Sequence, residues 1–226
     1  MQITEIYRSI QGESSFTGLP CIFVRLTACN LRCSWCDSEY TFTGGRKMTE
    51  AQVMAEVRAL APVKLVEITG GEPMLQEREV VPLMQALIAE GYKVLLETSG
   101  ERPLASVPGE VVKIVDVKCP GSGEGGSFCM ENLRALQPHD EIKFVISDRG
   151  DYEFAREFAQ QHQLARNVAN VIFSPAFRKQ AAGARDASHC LVDPQELAEW
   201  MLADGVLARL GLQVHKFVWQ PETKGV

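Results

Sequence analysis

The sequence predicts an α/β fold built on a parallel sheet. Short apolar segments rich in β-branched residues alternate with segments whose apolar residues have helical spacing, which is the pattern of successive βα units. The composition, with 46% hydrophobic and 23% charged residues, is that of an ordinary globular protein. A length of 226 residues suits one domain, so we expect a single domain over 1–226.

Six segments have the apolar character of buried parallel strands. They are 21–27, 63–69, 92–98, 111–118, 141–147 and 170–175. Helices are predicted at 49–61, 76–90, 129–137 and 151–163, the first opening with a capping-box pattern at Thr49 and Gln52. A helix at 193–210 and a strand at 212–219 complete the chain. Six strands are fewer than the eight of a closed barrel, so an open, partial (β/α)6-type barrel and a doubly wound sheet both fit.

Charge and terminal sequence exclude several classes of protein. The net charge of −6 and the pI near 5.3 argue against binding to nucleic acid, which usually shows as a basic patch. The first residues, MQITEIYRSIQGE, lack the basic and apolar regions of a signal peptide, and the chain has no run of 18 apolar residues. These features predict a cytoplasmic protein without a membrane partner.

Three cysteines lie close together in the segment 27–38, TACNLRCSWCDS. Cys29, Cys33 and Cys36 have the spacing C-x3-C-x2-C and follow a predicted strand, at the edge where parallel sheets build active sites. Three thiolates suit an iron-sulfur cluster in which one iron stays open for another ligand. The alternative is a zinc site with a remote fourth ligand, for which the candidates are His139, His189, His215 and Cys119. The scattered Cys21, Cys119, Cys129 and Cys190 are expected to be small hydrophobic residues.

The cysteine motif and the later segment TGGEP (69–73) together resemble the radical S-adenosylmethionine (SAM) superfamily. The resemblance implies a 4Fe-4S cluster held by Cys29, Cys33 and Cys36, SAM bound at its open iron, and release of a 5'-deoxyadenosyl radical. Gly70 and Gly71 suit the close approach of the backbone to SAM, because glycine has no Cβ.

The segment 7–38 is similar to the start of the 7-carboxy-7-deazaguanine synthase family, and the similarity extends over the whole chain. It includes ITGGEP, LETSG (96–100), DVKCPGSG (116–123), EIKFVISD (141–148) and the ending VHKFVWQPETKGV. The resemblance implies a carbon-nitrogen lyase that converts 6-carboxy-5,6,7,8-tetrahydropterin to 7-carboxy-7-deazaguanine, by hydrogen abstraction, ring contraction and loss of ammonia, in 7-deazapurine (queuosine) biosynthesis.

The residues suit such a substrate at both of its ends. Glu13 is an acceptor for the N-H groups of the pyrimidine edge, and Arg25 has the donor fork for the carboxylate, although a solvated glutamate and a structural arginine are the alternatives. Arg25 lies in an apolar strand and therefore needs a partner. The resemblance assigns to the substrate Ile10, Gln11, Gly12, Glu13, Arg25, Thr69 and Val226.

The same resemblance assigns the cofactor contacts. The SAM contacts are Trp35, Cys36, Asp37, Gly71, Ser99, Asp116, Val117, Lys118, Phe173, Ser174, Pro175 and Ala176. Ser38 stands where the family binds Mg²⁺ through a hydroxyl, and Mg²⁺ prefers oxygen ligands that include substrate oxygens.

Some roles stay open at the level of sequence. Lys118, Lys143 and His215 are all candidates for proton transfer, so the catalytic base is unassigned. The family implies an electron donor such as flavodoxin or ferredoxin, and a homodimer. The rival functions are a glycyl-radical activating enzyme, which shares the cysteine spacing and the glycine turn, and a non-catalytic zinc protein.

Overall fold

The computed structural model describes residues 1–179, 185–220, 223 and 225. The strands of the described residues are β1 (Gln2–Ile10), β2 (Pro20–Leu26), β3 (Arg46–Lys47), β4 (Leu65–Gly70), β5 (Lys93–Thr98), β6 (Val112–Asp116), β7 (Glu141–Ile146), β8 (Asn170–Pro175) and β9 (Arg209–Leu210). The helices are α1 (Glu50–Ala59), α2 (Glu77–Ala89), α3 (Arg149–Gln161), α4 (Leu164–Asn167), α5 (Pro194–Asp204) and α6 (His215–Val218). No helix of this part of the chain is long and apolar enough to cross a membrane.

The strands form one open sheet in the order β3-β1-β2-β4-β5-β6-β7-β8-β9. From β2 to β9 every neighbouring pair is parallel, and the six predicted strands are β2 and β4 to β8, each within two residues of its predicted bounds. Within the described residues the sheet ends at β3 and β9 and does not close on itself. The prediction of an open, partial parallel barrel is therefore confirmed.

An antiparallel hairpin, which the sequence analysis did not predict, precedes the parallel strands. Strand β1 pairs with β2 from Ile3 opposite Leu26 to Ile10 opposite Pro20. The loop that joins them is closed by backbone hydrogen bonds from Gln11 to Leu19 and back from Gly18 to Gln11. The hairpin brings the loop 11–19 to the sheet beside β4, which matters for the site described below.

Three of the predicted helices are confirmed, and α1 has the predicted capping box between Thr49 and Gln52. The prediction of a helix at 129–137 is wrong, because only a short 3-10 turn forms at Met130–Arg134. The buried Asn132 explains this: its side chain accepts a hydrogen bond from the Leu104 amide and donates to the Gly100 carbonyl, which fixes the segment against another loop.

The C-terminal predictions need two corrections. The helix predicted at 193–210 ends at Asp204, because Gly205 adopts a left-handed conformation with φ of 59° and caps it. The segment 212–219 is not a strand and contains the short helix α6. Its position is set by a backbone hydrogen bond from Val214 to Gly12 and by the buried Lys216, which pairs with Asp37.

The inner face of the sheet changes from apolar to polar along the strands. A small apolar cluster covers the beginning of this face and consists of Cys21, Phe23, Leu65, Leu95, Val112 and Ile114. Further along the same strands the inward positions carry charge, as at Arg25, Glu67 and Glu97. The larger hydrophobic core packs the opposite face of the sheet against the helices. The apolar cluster thus forms the floor of a cavity whose walls are polar.

Candidate active site

The carboxyl ends of the parallel strands surround a cavity of about 530 Å³, which is in the size range of small-molecule sites. Most of the residues that the sequence analysis assigned to the site line this cavity. They are Ile10, Gln11, Gly12, Glu13, Arg25, Cys29, Cys33, Trp35, Cys36, Asp37, Ser38, Thr69, Gly71, Ser99, Asp116 and Lys118. The fold therefore brings together residues that are spread over nearly half of the sequence, from Ile10 to Lys118.

The loop after β2 presents the three cysteines to the cavity. Cys29, Cys33 and Cys36 are free thiols and partly buried, and their burial raises the pKa of each. The loop is tied to its surroundings by hydrogen bonds from the Ala28 amide to the Thr41 carbonyl, at 2.8 Å, and from the Ser34 amide to the Ser122 carbonyl, at 2.8 Å. The thiols are thus held at one side of the cavity by backbone contacts.

The glycine turn after β4 packs directly against the start of the cysteine loop. A Cβ added at Gly71 would lie 2.6 Å from the Ala28 carbonyl carbon and 2.8 Å from the Cys29 Cβ, and closer still to the Ala28 oxygen. The Glu72 amide donates to that same oxygen at 2.8 Å. Glycine is required at position 71 because no side chain fits between the two loops.

The donor set fits an iron-sulfur cluster better than a single ion. Within the described residues no group of three or more His, Cys, Asp or Glu side chains converges on a point where it would hold one metal ion. The zinc alternative therefore gains no support from His139, His189, His215 or Cys119. Three thiols that line one opening without converging are what a cubane needs, since each thiolate binds a different iron.

The end of β6 offers an acceptor for a bound ligand. Asp116 Oδ2 pairs with Lys118 Nζ at 2.7 Å, whereas the buried Asp116 Oδ1 has no hydrogen-bond partner within the described residues. Burial disfavours the charge of Lys118. Asp116 and the nearby Cys33 nevertheless raise the pKa of Lys118 above its usual range. A buried acceptor without a partner at the wall of a cavity fits the hydroxyl or amino groups of SAM.

Ser99 is a predicted SAM contact whose polar groups are already paired within the protein. The Ser99 amide and hydroxyl both donate to Glu72 Oε2, at 2.8 and 2.7 Å, and Glu72 is fully buried. Ser99 therefore lines the cavity with its hydroxyl proton already in use. The remaining predicted contacts are buried and do not line the cavity; they are Val117, Phe173, Ser174, Pro175 and Ala176.

The loop 11–14 supplies the opposite side of the cavity. The Gln11 side-chain oxygen accepts hydrogen bonds from the amides of Glu13 and Ser14, at 2.9 and 3.0 Å, so it shapes the loop. Glu13 Oε2 pairs with Lys143 Nζ at 2.7 Å, and Glu13 Oε1 accepts from Gln213 at 2.9 Å. Burial opposes ionisation of Glu13, but Lys143 and the other cationic groups nearby together outweigh it and lower the pKa of Glu13 to about 2. Glu13 is thus a fixed carboxylate.

Gly12 has a glycine-specific role in the same loop. A Cβ at Gly12 would lie 3.0 Å from the Cγ of His215 and closer still to its Nδ1. The imidazole is 4.0 Å from Glu13 Oε1, and burial lowers the pKa of His215. His215 is therefore packed against the substrate loop as a neutral ring at neutral pH.

Arg25 has the partner that its apolar strand requires. Its Nε donates to Glu5 Oε1 at 2.9 Å, and its Nη2 donates to the Tyr7 hydroxyl at 2.8 Å. Tyr40 donates to the same Glu5 oxygen at 2.8 Å. These contacts orient the guanidinium at the cavity wall, next to Thr69, which is its register partner on β4.

Ser38 and Asp37 form the rim near the cysteines. The Ser38 hydroxyl donates to Asp37 Oδ1 at 2.8 Å, and Asp37 Oδ2 pairs with Lys216 Nζ at 2.6 Å. Burial opposes ionisation of Asp37, but Lys216 outweighs it and holds the pKa of Asp37 well below its usual range. With its proton directed at Asp37, the Ser38 hydroxyl keeps lone pairs for a hard cation such as Mg²⁺.

Several lining residues were missed by the sequence analysis, and one predicted contact lies outside the described residues. Among the missed residues are Tyr7, Glu67, Glu97, Gln213 and Lys216. Glu67 and Glu97 could have been found, because each is a charged residue inside an apolar strand segment. Lys216 carried the same signal, as a charged residue in the apolar segment 212–219, whereas the uncharged Gln213 did not. Val226 lies outside the described residues.

Comparison with known proteins agrees with this site. The open parallel sheet, the three cysteines and the glycine turn define a radical SAM enzyme, and the model of the Radical SAM superfamily matches residues 24–116. The 7-carboxy-7-deazaguanine synthase of Koribacter versatilis (strain Ellin345) is 76% identical over 226 residues, covering 100% of both chains. The enzyme of the same name from Chlorobaculum tepidum is 39% identical over 230 residues, covering 100% of this chain and 97% of its own. The chain belongs to the 7-carboxy-7-deazaguanine synthase family.

A solved structure supports the fold independently. The crystal structure of QueE from Escherichia coli superimposes with a TM-score of 0.71, covering 93% of this chain and 92% of that chain. The two sequences are 23% identical. At this level of identity the likeness concerns the fold, and the roles of individual residues rest on the geometry described above.

Proposed function

We propose that the chain converts 6-carboxy-5,6,7,8-tetrahydropterin to 7-carboxy-7-deazaguanine in this cavity, as one radical SAM domain over 1–226. The observation that carries the proposal is the arrangement of two half-sites around one space. Cys29, Cys33 and Cys36 line one side, and the fixed carboxylate of Glu13 lines the other. A substrate between them would meet the source of the radical with one end and an oriented acceptor with the other.

The cofactor side is assigned to the cysteines and the adjacent strand ends. Cys29, Cys33 and Cys36 would hold the 4Fe-4S cluster, while Gly71 and Asp116 would receive SAM through an open backbone and an unpartnered acceptor. When bound, the cluster supplies the electron whose transfer to SAM generates the hydrogen-abstracting radical. The chain itself orients the cluster and SAM, because the cysteine loop and the glycine turn are fixed by backbone hydrogen bonds.

The substrate side is assigned to the loop 11–14 and the strand ends that face it. Glu13 would accept hydrogen bonds from the pyrimidine edge, and Arg25 would direct its guanidinium at the carboxylate. Ser38 would share Mg²⁺ with that carboxylate and with water. The substrate then loses a hydrogen from C6, contracts its ring and releases ammonia. Lys118, Lys143 and His215 remain the candidates for proton transfer, and all three line the cavity.

Three finer features extend the proposal. The reduction of SAM requires an electron donor, for which a flavodoxin or a ferredoxin is the expected class, and family membership favours a homodimer. The product would enter the synthesis of 7-deazapurines such as queuosine.

The test is an anaerobic assay of the reconstituted protein with SAM, dithionite, Mg²⁺ and the carboxypterin, in which 7-carboxy-7-deazaguanine and 5'-deoxyadenosine are measured by mass spectrometry. We expect both products from the wild type and neither from Cys29→Ser. Cys129→Ser is the matched control, because this thiol is also free and lies outside the cavity, and it should leave both products unchanged. Deoxyadenosine without deazaguanine would contradict the substrate and favour an activating enzyme. A colourless protein without iron would contradict the radical chemistry.

A further inference from the structure

A carboxyl group that the proposed function does not use lies beneath the substrate loop. Glu67, on β4, is 1% exposed and faces the cavity floor. Gln11 Nε2 donates to Glu67 Oε2 at 3.1 Å, and the carboxyl group of Glu97, on the adjacent strand β5, lies within hydrogen-bonding reach of Glu67. Glu67 thus connects the substrate loop to the neighbouring strand.

A hydrogen bond between two carboxyl groups requires that one of them carry a proton. Burial and the nearby charge of Glu97 raise the pKa of Glu67 well above its usual range, so Glu67 is the protonated member. Lys143 donates to Glu97 and to Glu13, so the lysine ammonium neutralises these two carboxylates and not Glu67. The titratable groups that face Glu67 from the elements around it are Tyr7, Glu13, Cys21, Glu97 and Lys143.

These contacts form a closed ring of five residues. Glu67 binds Gln11; Gln11 caps the amide of Glu13; Glu13 pairs with Lys143; Lys143 pairs with Glu97; and Glu97 returns to Glu67. Within the ring Glu67 is the member that carries neither a fixed charge nor a predicted substrate contact. Its removal would leave the Gln11 amide, which is 1% exposed, without its acceptor, and Glu97 without the carboxyl group beside it.

We propose that Glu67 is a positioning residue that closes this ring and thereby holds Glu13 and Glu97 as a pair of acceptors for the N-H groups of the pterin ring. The inference rests on the proposed function. It adds Glu97 as a second acceptor for the substrate. It also adds a criterion for the substrate, whose heterocycle must present adjacent N-H donors, as a 2-aminopyrimidinone edge does. A lumazine, which has a carbonyl oxygen in place of the 2-amino group, would direct that oxygen at a carboxylate and would be rejected.

The test compares two substitutions at one position. Glu67→Gln is a neutral isostere that donates to Glu97 through its NH2 group and accepts from Gln11 through its carbonyl oxygen. Glu67→Met has a similar volume and makes neither bond. Both variants are prepared as the reconstituted enzyme with SAM, and the probes are the oxidised, fluorescent compounds 6-carboxypterin and 6-carboxylumazine. Their dissociation constants are measured by fluorescence titration without turnover, and KM and kcat are then measured with the reduced substrate.

We expect Glu67→Gln to bind 6-carboxypterin within about threefold of the wild type, and Glu67→Met to bind it about 10- to 100-fold more weakly, as for the loss of a hydrogen bond to a charged group. The preference for pterin over lumazine should shrink in Glu67→Met by a similar factor and persist in Glu67→Gln. The loss in Glu67→Met should appear mainly in KM, and the pH profile of Glu67→Gln between pH 6 and 8 should match the wild type.

Two results would overturn the inference. Wild-type affinity and preference in Glu67→Met would show that the ring does not need Glu67. A loss in Glu67→Gln as large as in Glu67→Met would show that an exchangeable proton, and not a fixed hydrogen bond, is required. If Glu67→Met does not fold, Glu67→Gln still keeps the inference falsifiable, since a clear loss of affinity in this neutral isostere would overturn it. Formation of product by the wild type tests the proposed function separately, so the two failures are distinguishable.

Discussion

Substitution of Gly71 by alanine should disturb the cysteine loop without touching a cysteine. The new Cβ would lie 2.6 Å from the Ala28 carbonyl carbon, about 0.8 Å inside the 3.4 Å at which ordinary contacts begin. The group that the new Cβ would meet is the backbone of Ala28, which has little freedom to move. The Ala28 amide donates to the Thr41 carbonyl, and the Ala28 carbonyl oxygen accepts from the Glu72 amide. Ala28 also has a positive φ of 82°, which few residues other than glycine adopt. Relief of the clash must therefore move Cys29.

The magnitude follows from the cost of inserting a methyl group into a packed contact. Overpacking of this kind destabilises a protein by about 1–3 kcal/mol. For a chain of this size each kcal/mol corresponds to a shift in Tm of about 2–4 °C, so we expect Tm to fall by about 2–12 °C. A shift of Cys29 by several tenths of an ångström also changes its distance from Cys33 and Cys36, so the reconstituted variant should hold less iron per chain.

The assay is thermal unfolding of the unreconstituted chain, followed by iron and sulfide analysis after reconstitution. Gly109→Ala is the control, because its φ is not positive and its Cβ would meet only the flexible Gln137 side chain, at 3.3 Å. It should lower Tm by less than about 2 °C. If Gly71→Ala matches the wild type in both Tm and iron content, the two loops are not in the close contact described, and the argument for glycine at this position fails.

Three further substitutions test the acceptor side and the scaffold. Lys143→Met removes the cation shared by Glu13 and Glu97, and loss of one partner from a buried pair costs about 3–5 kcal/mol, so the denaturant midpoint should fall sharply. Glu13→Gln tests the lowered pKa of Glu13. The carboxylate stabilises the fold fully above pH 4.5 and loses this effect as pH falls towards 2. The wild type should therefore have a higher free energy of unfolding in urea than the variant above pH 4.5, and this difference should vanish towards pH 2. Thr49→Ala removes the capping box of α1 and should cost about 0.5–2 kcal/mol with no change in the rate of product formation.

The six strands β2 and β4 to β8 were predictable because they are buried on both faces. Burial on both sides requires a nearly continuous apolar run, and such runs stand out from the helices between them. Strand β1 was not predictable in this way, because its residues are mostly half-buried and read Gln-Ile-Thr-Glu-Ile-Tyr-Arg-Ser-Ile, with polar residues on the exposed face. The strand predicted at 212–219 is wrong for a different reason: tertiary contacts, such as the ion pair of the buried Lys216 with Asp37, decide that this apolar segment turns into α6.

The candidate site was predictable where the chemistry is local in sequence. The cysteines and the glycine turn are short motifs, and their lining of one cavity agrees with the prediction. The partners that tune the site are set by the register of the strands and by the last segment of the chain, which no short motif encodes. Lys143 reaches Glu13 across 130 positions of sequence, and Gln213 reaches it across 200.

The inner face of the sheet explains why the charged strand residues are tolerated at all. A lone carboxylate in an apolar strand would be strongly destabilising, because burial removes its hydration. Here Glu67, Glu97 and Lys143 lie above the apolar floor and satisfy one another, so their cost is offset within the ring and not by solvent. Such a ring is stable only when all its members are present and correctly protonated. Because its members depend on one another, the ring is sensitive to substitution, and for the same reason it is rigid. A rigid binding surface is needed to hold the reacting carbon of a substrate close to a radical source.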